Sequence, residues 1–444
     1  MNSPVNAQGI RRDAGRQRAV PAILLCTLLT ACGSIGNPFG VFASGSGQRF
    51  DGMVAADEPR AAMIGRDVLA AGGTAADAVV AMSFALTVTL PSQAGIAAGG
   101  VCMIYDHDKN KVETLNFVPP NPMIPGLPRG MYALSAKYGR LRWGQLVAPA
   151  ESMARLGAPV SRAFARQIGP VAGTLLADDA ARRVYAKADG QPVGEGDILV
   201  QSTLGATLSR LRTRGVGDIY AGSWADSLVA SVTAAGGSLT SAELRDFLAK
   251  WQSPVALPGA GETLYLADAP AAGPNEVQLW NGHVAEVAPQ AAAGGKSGTG
   301  LVAVDGNGSA VACSIGLGED FGARRLLPDT GLVLPVTGSG RTELPGLGPI
   351  LAVDAGSKEF RYAAAAGGGT DAPAVMVRVA RAALVDGAAL GHAVAEAGRL
   401  PGEADGSVRV NAIRCASGGP SSGRCQAETD PHGFGLALTA GNPG

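Results

Sequence analysis

The chain has 444 residues, 46% of them hydrophobic, with 64 glycines and only 5% aromatic residues; so much small apolar material describes a close-packed core and excludes a disordered or fibrous protein. Lys plus Arg (36) nearly balance Asp plus Glu (37), for a formal net charge of -1, so there is no concentrated basic surface to neutralise phosphates and no nucleic-acid partner is expected. Length alone permits two or three domains without dividing the chain.

The first predicted element is an export signal. Arg11, Arg12, Arg16 and Arg18 precede a short apolar stretch, residues 19–31, that ends in small side chains. As a helix it would reach about 20 Å, short of a hydrocarbon core of about 30 Å, and the pattern is that of a signal peptide over residues 1–31. Its end, Leu29-Thr30-Ala31-Cys32-Gly33, resembles the lipobox of bacterial lipoproteins. That resemblance implies cleavage before Cys32 and acylation of its thiol and amino group, so that membrane lipid is a partner. An ordinary signal peptide with a chance cysteine is the alternative. Gly33, with no Asp there, points to the outer membrane of a bacterial envelope, facing the periplasm. Residues 32–48 then form a tether rich in Gly, Ser and Asn.

Residues 53–56 read as a strand, 59–71 as a helix stopped by Gly72-Gly73, and 74–90 as a second, alanine-rich helix. A glycine-alanine loop at 95–100 leads to a hairpin of 101–105 and 111–117 across Asp108-Lys109-Asn110. Five prolines make 116–128 an irregular crossing. Helices follow at 129–138 and 143–155, and shorter ones occupy 161–250, including 224–235 and 241–248. After a Gly/Ala-rich passage at 286–300 the pattern turns to strand, with 301–305 and 309–315 paired around Gly306-Asn307-Gly308. A further pair, 350–354 and 360–366, precedes Gly367-Gly368-Gly369 and a helix at 373–384. Hairpins interleaved with helical layers predict an α/β (α+β) fold, a four-layer αββα sandwich in which residues 49–298 and 299–444 form one domain.

Cys102 and Cys313 fall in apolar strand-like runs, while Cys415 and Cys425 flank a Gly/Ser-rich loop and are expected to pair in an oxidising compartment. No Cys/His spacing resembles a zinc site and the four histidines are scattered, so neither metal nor cofactor is expected.

Several segments share one resemblance. They are Met53-Val54-Ala55-Ala56-Asp57-Glu58-Pro59, the Gly72-Gly73-Thr74-Ala75-Ala76-Asp77-Ala78 break, Tyr138-Gly139-Arg140-Leu141-Arg142-Trp143, Ala234-Ala235-Gly236-Gly237-Ser238-Leu239-Thr240, and Phe321-Gly322 through Pro328-Asp329-Thr330-Gly331-Leu332. In order and spacing, over roughly residues 53–436, the chain resembles the gamma-glutamyltransferase family. The resemblance implies an N-terminal nucleophile hydrolase fold, self-cleavage into two subunits, and transfer or hydrolysis of gamma-glutamyl groups. The chain is compact beside that family, with the shortfall between Leu279 and Leu301.

The family's nucleophile is a threonine that opens the small subunit in a Thr-Thr-His motif, and its freed α-amine acts as the base. Alignment through Asp305, Gly308 and Ala310 puts Gly298, Thr299 and Gly300 on that motif, so a glycine stands at the nucleophile position. A one-residue slip would make Thr299 the nucleophile, but a slip turns a strand side chain to the opposite face unless a bulge at Gly298 restores it. Ser297 meets the same register problem, and a plain turn into the strand is the third reading. Val118 falls near the arginine that would pair with a substrate carboxylate, and Arg129 downstream fits a structural role. Gly318 falls near the amine-binding asparagine, with Glu319 and Asp320 as loose substitutes; Pro335-Val336-Thr337 stands at the acidic position and Pro345-Gly346 at paired serines. Gly368 and Gly369 match the glycine pair whose N–H groups face an oxyanion.

Two readings follow from these replacements. One is a catalytically degenerate lipoprotein acting as a binding or assembly subunit with an envelope protein partner. The other is an active, self-cleaving amidohydrolase that uses Thr299 on a small amide, peptide or gamma-glutamyl substrate, with an apolar pocket at Val118. A solute-binding module is disfavoured, since such modules repeat parallel β-α units around a hinge.

Overall fold

The computed structural model describes residues 51–259, 261–267, 274–282, 297–336, 344, 346–397, 408–417, 419–420 and 424–441. The expected signal, Cys32 and the tether lie outside these residues, as do 283–296, within the stretch where the chain is short beside the family.

In chain order the strands are β1 (Gly52–Ala56), β2 (Gly99–Asp106), β3 (Lys111–Asn116), β4 (Ala158–Pro159), β5 (Ile198–Leu199), β6 (Lys250–Gln252), β7 (Val255–Pro258), β8 (Glu262–Leu266), β9 (Thr299–Asp305), β10 (Ala310–Gly316), β11 (Ile350–Asp354), β12 (Phe360–Gly367), β13 (Arg409–Cys415), β14 (Cys425–Thr429) and β15 (Leu436–Ala440). The helices are α1 (Pro59–Ala70), α2 (Ala75–Thr89), α3 (Leu127–Tyr138), α4 (Trp143–Leu156), α5 (Arg162–Leu175), α6 (Asp179–Tyr185), α7 (Ser202–Arg214), α8 (Gly217–Ala221), α9 (Ser223–Ala234), α10 (Ser241–Asp246), α11 (Pro274–Trp280), α12 (Ala372–Leu384) and α13 (Leu390–Ala397).

Seven strands form one antiparallel sheet in the order β15-β1-β9-β10-β2-β3-β6, and six form a second in the order β14-β13-β12-β11-β8-β7. Period-two alternation in β9 sorts its side chains between two cores. Leu301 and Ala303 face the helical side with residues of α1 and α2, whereas Val302 and Val304 join Leu351, Ala363 and Ala365 between the sheets. On the outer face of the second sheet, Val375, Met376 and Val394 of α12 and α13 pack on Ile350, Ala364 and Val410. Helix, sheet, sheet and helix are the four layers that the sequence predicts. Strands on both sides of residue 298 share the first sheet, with β9 between β1 and β10.

Local chemistry fixes the parts around the site. Every residue of α2 is buried, and its start is a capping box: Thr74 Oγ1 accepts from the Asp77 N–H at 3.2 Å and Asp77 Oδ2 accepts from the Thr74 N–H at 3.0 Å. Asp305, at the end of β9, accepts from the Asn307 and Ser309 amides and from the Ala75 N–H at 3.1 Å, so the β9–β10 turn is tied to the first turn of α2. The helix expected at 241–248 ends at Asp246, because Phe247 has turned extended.

Disulfides join Cys415 to Cys425, across β13 and β14, and Cys102 to Cys313, across β2 and β10. Cys102 and Cys313 do lie in apolar strands, and the second pair adds what the sequence reading left out: the antiparallel register sets them directly opposite each other.

Candidate active site

The site forms where β9 begins. Since Ala56 of β1 pairs with Leu301, the next residue of the first chain segment, Asp57, comes beside Gly300. Gly300 has no room for a side chain, because a Cβ there would stand 2.7 Å from Ala366 N in the second sheet. Asp57 is buried and its carboxylate accepts from Thr299 Oγ1 at 2.8 Å and the Gly300 N–H at 3.1 Å through Oδ2, and from Asn411 Nδ2 at 2.8 Å through Oδ1. Asn411 Nδ2 also donates to the Gly300 carbonyl at 2.9 Å, so one asparagine of β13 ties the second sheet to the mouth of the first. Burial raises the Asp57 carboxyl above its ordinary range, opposed by the charge of Arg409 and by these hydrogen bonds.

Gly298 stands just outside the strand with φ +148°, a backbone that side-chain-bearing residues rarely adopt. Its N–H donates to Gln93 Oε1 at 2.6 Å, and Gln93 Nε2 donates to Asp320 Oδ1 at 2.6 Å. Burial raises the Asp320 carboxyl as well, against Arg409 and the Ser297 hydroxyl that lies toward it. Above the Gly298–Thr299 peptide sits Gly367: a Cβ there would overlap the Gly298 carbonyl and stand 2.8 Å from Thr299 N. Gly368 and Gly369 follow with φ +124° and +93°. The cross-strand partner of Gly367 is Arg409, half-buried, its stem against Gly433. Among the described residues, two buried polar atoms near this peptide have no hydrogen-bond partner: Arg409 Nε and Asn411 Oδ1.

Of the residues predicted by sequence, Thr299 lies at this site; the glycine standing over the Gly298–Thr299 peptide is Gly367, one residue before the predicted pair Gly368 and Gly369, and Gly369 lies against Gly346. The β9–β10 ladder runs unbroken to the Thr299–Ile315 rung, so alternation leaves Thr299 on the face of Leu301 and its hydroxyl fully buried on Asp57. Val118 is half-buried beside Gly99 and Leu344, packed on the inter-sheet core. Gly318, with φ +90°, turns the chain after β10. Glu319 is corrected: it is exposed and pairs with Arg324 at 3.3 Å, while its neighbour Asp320 takes the inward position. Arg129 stacks on Tyr220 at 4.1 Å and donates to the Arg245 and Phe247 carbonyls, a structural role. Thr337 and Pro345 lie outside the described residues. Asp57, Gln93, Arg409 and Asn411 were not assigned to the site by sequence; the one local signal was Asp57, placed immediately after a strand in the Ala-Asp-Glu-Pro segment.

The family profile described as gamma-glutamyltranspeptidase matches residues 61–123 and 121–283. The chain is 32% identical over 225 residues to the glutathione hydrolase proenzyme of Bacillus subtilis, covering 44% of this chain and 38% of that relative. It is 29% identical over 251 residues to the glutathione hydrolase proenzyme of Pseudomonas aeruginosa, covering 50% of this chain and 43% of the relative. The chain thus matches less than half the length of these curated relatives. Over 92% of its own length and 99% of the other chain, its fold is similar to that of a cephalosporin acylase from Bacillus halodurans, with TM-score 0.72 and 18% identity.

Proposed function

The chain belongs to the gamma-glutamyltranspeptidase family, and from that premise we propose that it is a member without turnover, an exported, lipid-anchored protein that binds a small polar ligand at the family's site and serves as a binding or assembly subunit of the cell envelope. The observation that carries this reading is the backbone at Gly298. Gly298, which the sequence resemblance sets at the family's nucleophile position, has φ +148°, and the hydroxyl that follows it is buried and committed to Asp57. Binding is supported by the unpaired polar atoms around the same peptide, since buried polar groups are ordinarily paired and a ligand would pair them. The test is release of p-nitroaniline from gamma-glutamyl-p-nitroanilide, with and without an acceptor dipeptide. No release above that of Thr299→Ala is expected, and release that Thr299→Ala abolishes would contradict the reading.

A second reading rests on the 2.8 Å contact of Thr299 Oγ1 with Asp57. There Asp57 takes the hydroxyl proton as Thr299 Oγ1 adds to the Gly298 carbonyl carbon. The carbon–nitrogen bond breaks, the amide nitrogen takes the proton, and water hydrolyses the ester to leave an N-terminal threonine. The substrate would then be an amide.

A further inference from the structure

A second place on the molecule, built from other elements, has the makings of a ligand site. A cavity of about 230 Å³ opens at the start of α7, where Ser202, Thr203 and Leu204 line it. No side chain caps this helix. Gln201, the residue at the cap position, sends its Nε2 to the Val88 carbonyl at 2.8 Å instead. Gly331 closes one side so tightly that a Cβ there would stand 2.6 Å from Leu204 N, and Thr207 Oγ1 holds that turn through the Thr330 carbonyl at 2.8 Å. First-turn amides with no intrahelical partner carry a partial positive charge that favours anions.

Independent of the helix, Tyr185 points to a ligand. It lines the same cavity, is 1% exposed, and its ring is wedged edge-on against Phe164 and Phe321 at 6.2 and 5.3 Å. Tyrosines buried to this degree usually find a hydrogen-bond partner; no described residue pairs with this hydroxyl, which is not itself fully enclosed. Burial raises the phenol above its ordinary range, so it stays protonated and can donate. Arg183 also lines the cavity; it is exposed and forms no ion pair among the described residues, whereas its neighbour Arg182 is paired with Asp179. Among the described residues no carboxylate lines the cavity.

We infer that this cavity binds a small oxyanion of the phosphate type, held by the first-turn amides of α7, the Tyr185 hydroxyl and the Arg183 guanidinium. Donors converging on one space from amide, phenol and guanidinium suit a tetrahedral oxyanion with several acceptor oxygens. Such a group comes free or as a lipid headgroup, and the rim admits both: Val200, 45% exposed, lines the cavity, and Ile198 beside it is 62% exposed.

Calorimetric titration of inorganic phosphate into the full chain carrying Cys32→Ser, so that no acyl anchor contributes, tests the site. Tyr185→Phe and Arg183→Gln should each weaken binding about tenfold, as loss of one charge-assisted hydrogen bond does, with circular dichroism and phosphate-free melting unchanged. A parallel arm floats the same proteins with phosphatidylcholine vesicles, with and without phosphatidate. Should phosphate fail while phosphatidate vesicles bind with that same variant dependence, the ligand is a headgroup and the site stands. Binding of neither probe, or binding that both variants leave undiminished, overturns the proposal.

Discussion

Replacing Gly367 by alanine tests whether the two sheets meet at a fixed approach over the Gly298–Thr299 peptide. The new Cβ would overlap the Gly298 carbonyl group and lie 2.8 Å from Thr299 N, where unstrained contact needs about 3.5 Å. All three obstacles are backbone atoms, so no rotamer change relieves them. Either β12 withdraws, opening the core around Val302, Ala363 and Ala365, or Gly298 swings away from Gln93. Overpacking of this kind costs about 1–3 kcal/mol when side chains can yield, so with backbone on every side about 3 kcal/mol or more is expected. Urea unfolding followed by far-ultraviolet circular dichroism measures it, with Gly356→Ala as reference. Gly356 is exposed and its new Cβ would come no closer than 3.4 Å to Asp354 Oδ1, so that change should stay within about 0.5 kcal/mol. If Gly367→Ala is as stable as the reference, the close approach of the sheets is wrong.

Replacing both Cys102 and Cys313 by alanine opens a link spanning 211 residues and should cost about 4 kcal/mol by the same unfolding assay; an unchanged midpoint would mean the pair is not bonded. Asn411→Leu removes the donor that serves both Asp57 and the Gly300 carbonyl, for an expected loss of about 3 kcal/mol. Burial alone would raise Glu113, but hydrogen bonds from Lys111, Lys137 and Tyr138 outweigh it and hold the carboxyl at about 2 against an ordinary 4.5. The folded state therefore binds this proton less readily than the unfolded chain, and the stability it contributes above pH 4.5 is lost as pH falls toward 2. Across that window the unfolding midpoint of Glu113→Gln should fall less steeply than that of the unaltered protein. Gly173 lies in the last turn of α5 with nothing within 4 Å of its Cβ position and no proline after it, so Gly173→Ala should stabilise by about 0.5–1 kcal/mol, readable as a raised melting temperature.

What the sequence discloses here is what local chemistry decides. The Gly72-Gly73 stop and the Gly306-Asn307-Gly308 turn each act within a few residues, and each appears where the pattern puts it. The site is different. Asp57 and Thr299 meet 242 residues apart, Asp57 and Asn411 354 apart, and Gln93 reaches Gly298 over 205. Only the registers of two sheets, and their packing, bring these groups to one point. The same cause hid the Cys102–Cys313 pairing, since each cysteine reads locally as one more apolar strand residue. Glu319 and Asp320 were indistinguishable as a loop pair, and the turn after β10 decides that Asp320 faces Gln93 while Glu319 faces solvent.

The proposed absence of turnover is tested most directly by intact mass of the purified protein, fresh and after days at working temperature. The masses must be read after reduction, because Cys102 and Cys313 lie on opposite sides of residue 298 and would hold two pieces together. A single uncut chain at every time is the predicted result. Two chains that separate between Gly298 and Thr299 would contradict it and establish Thr299 as a freed N-terminal nucleophile.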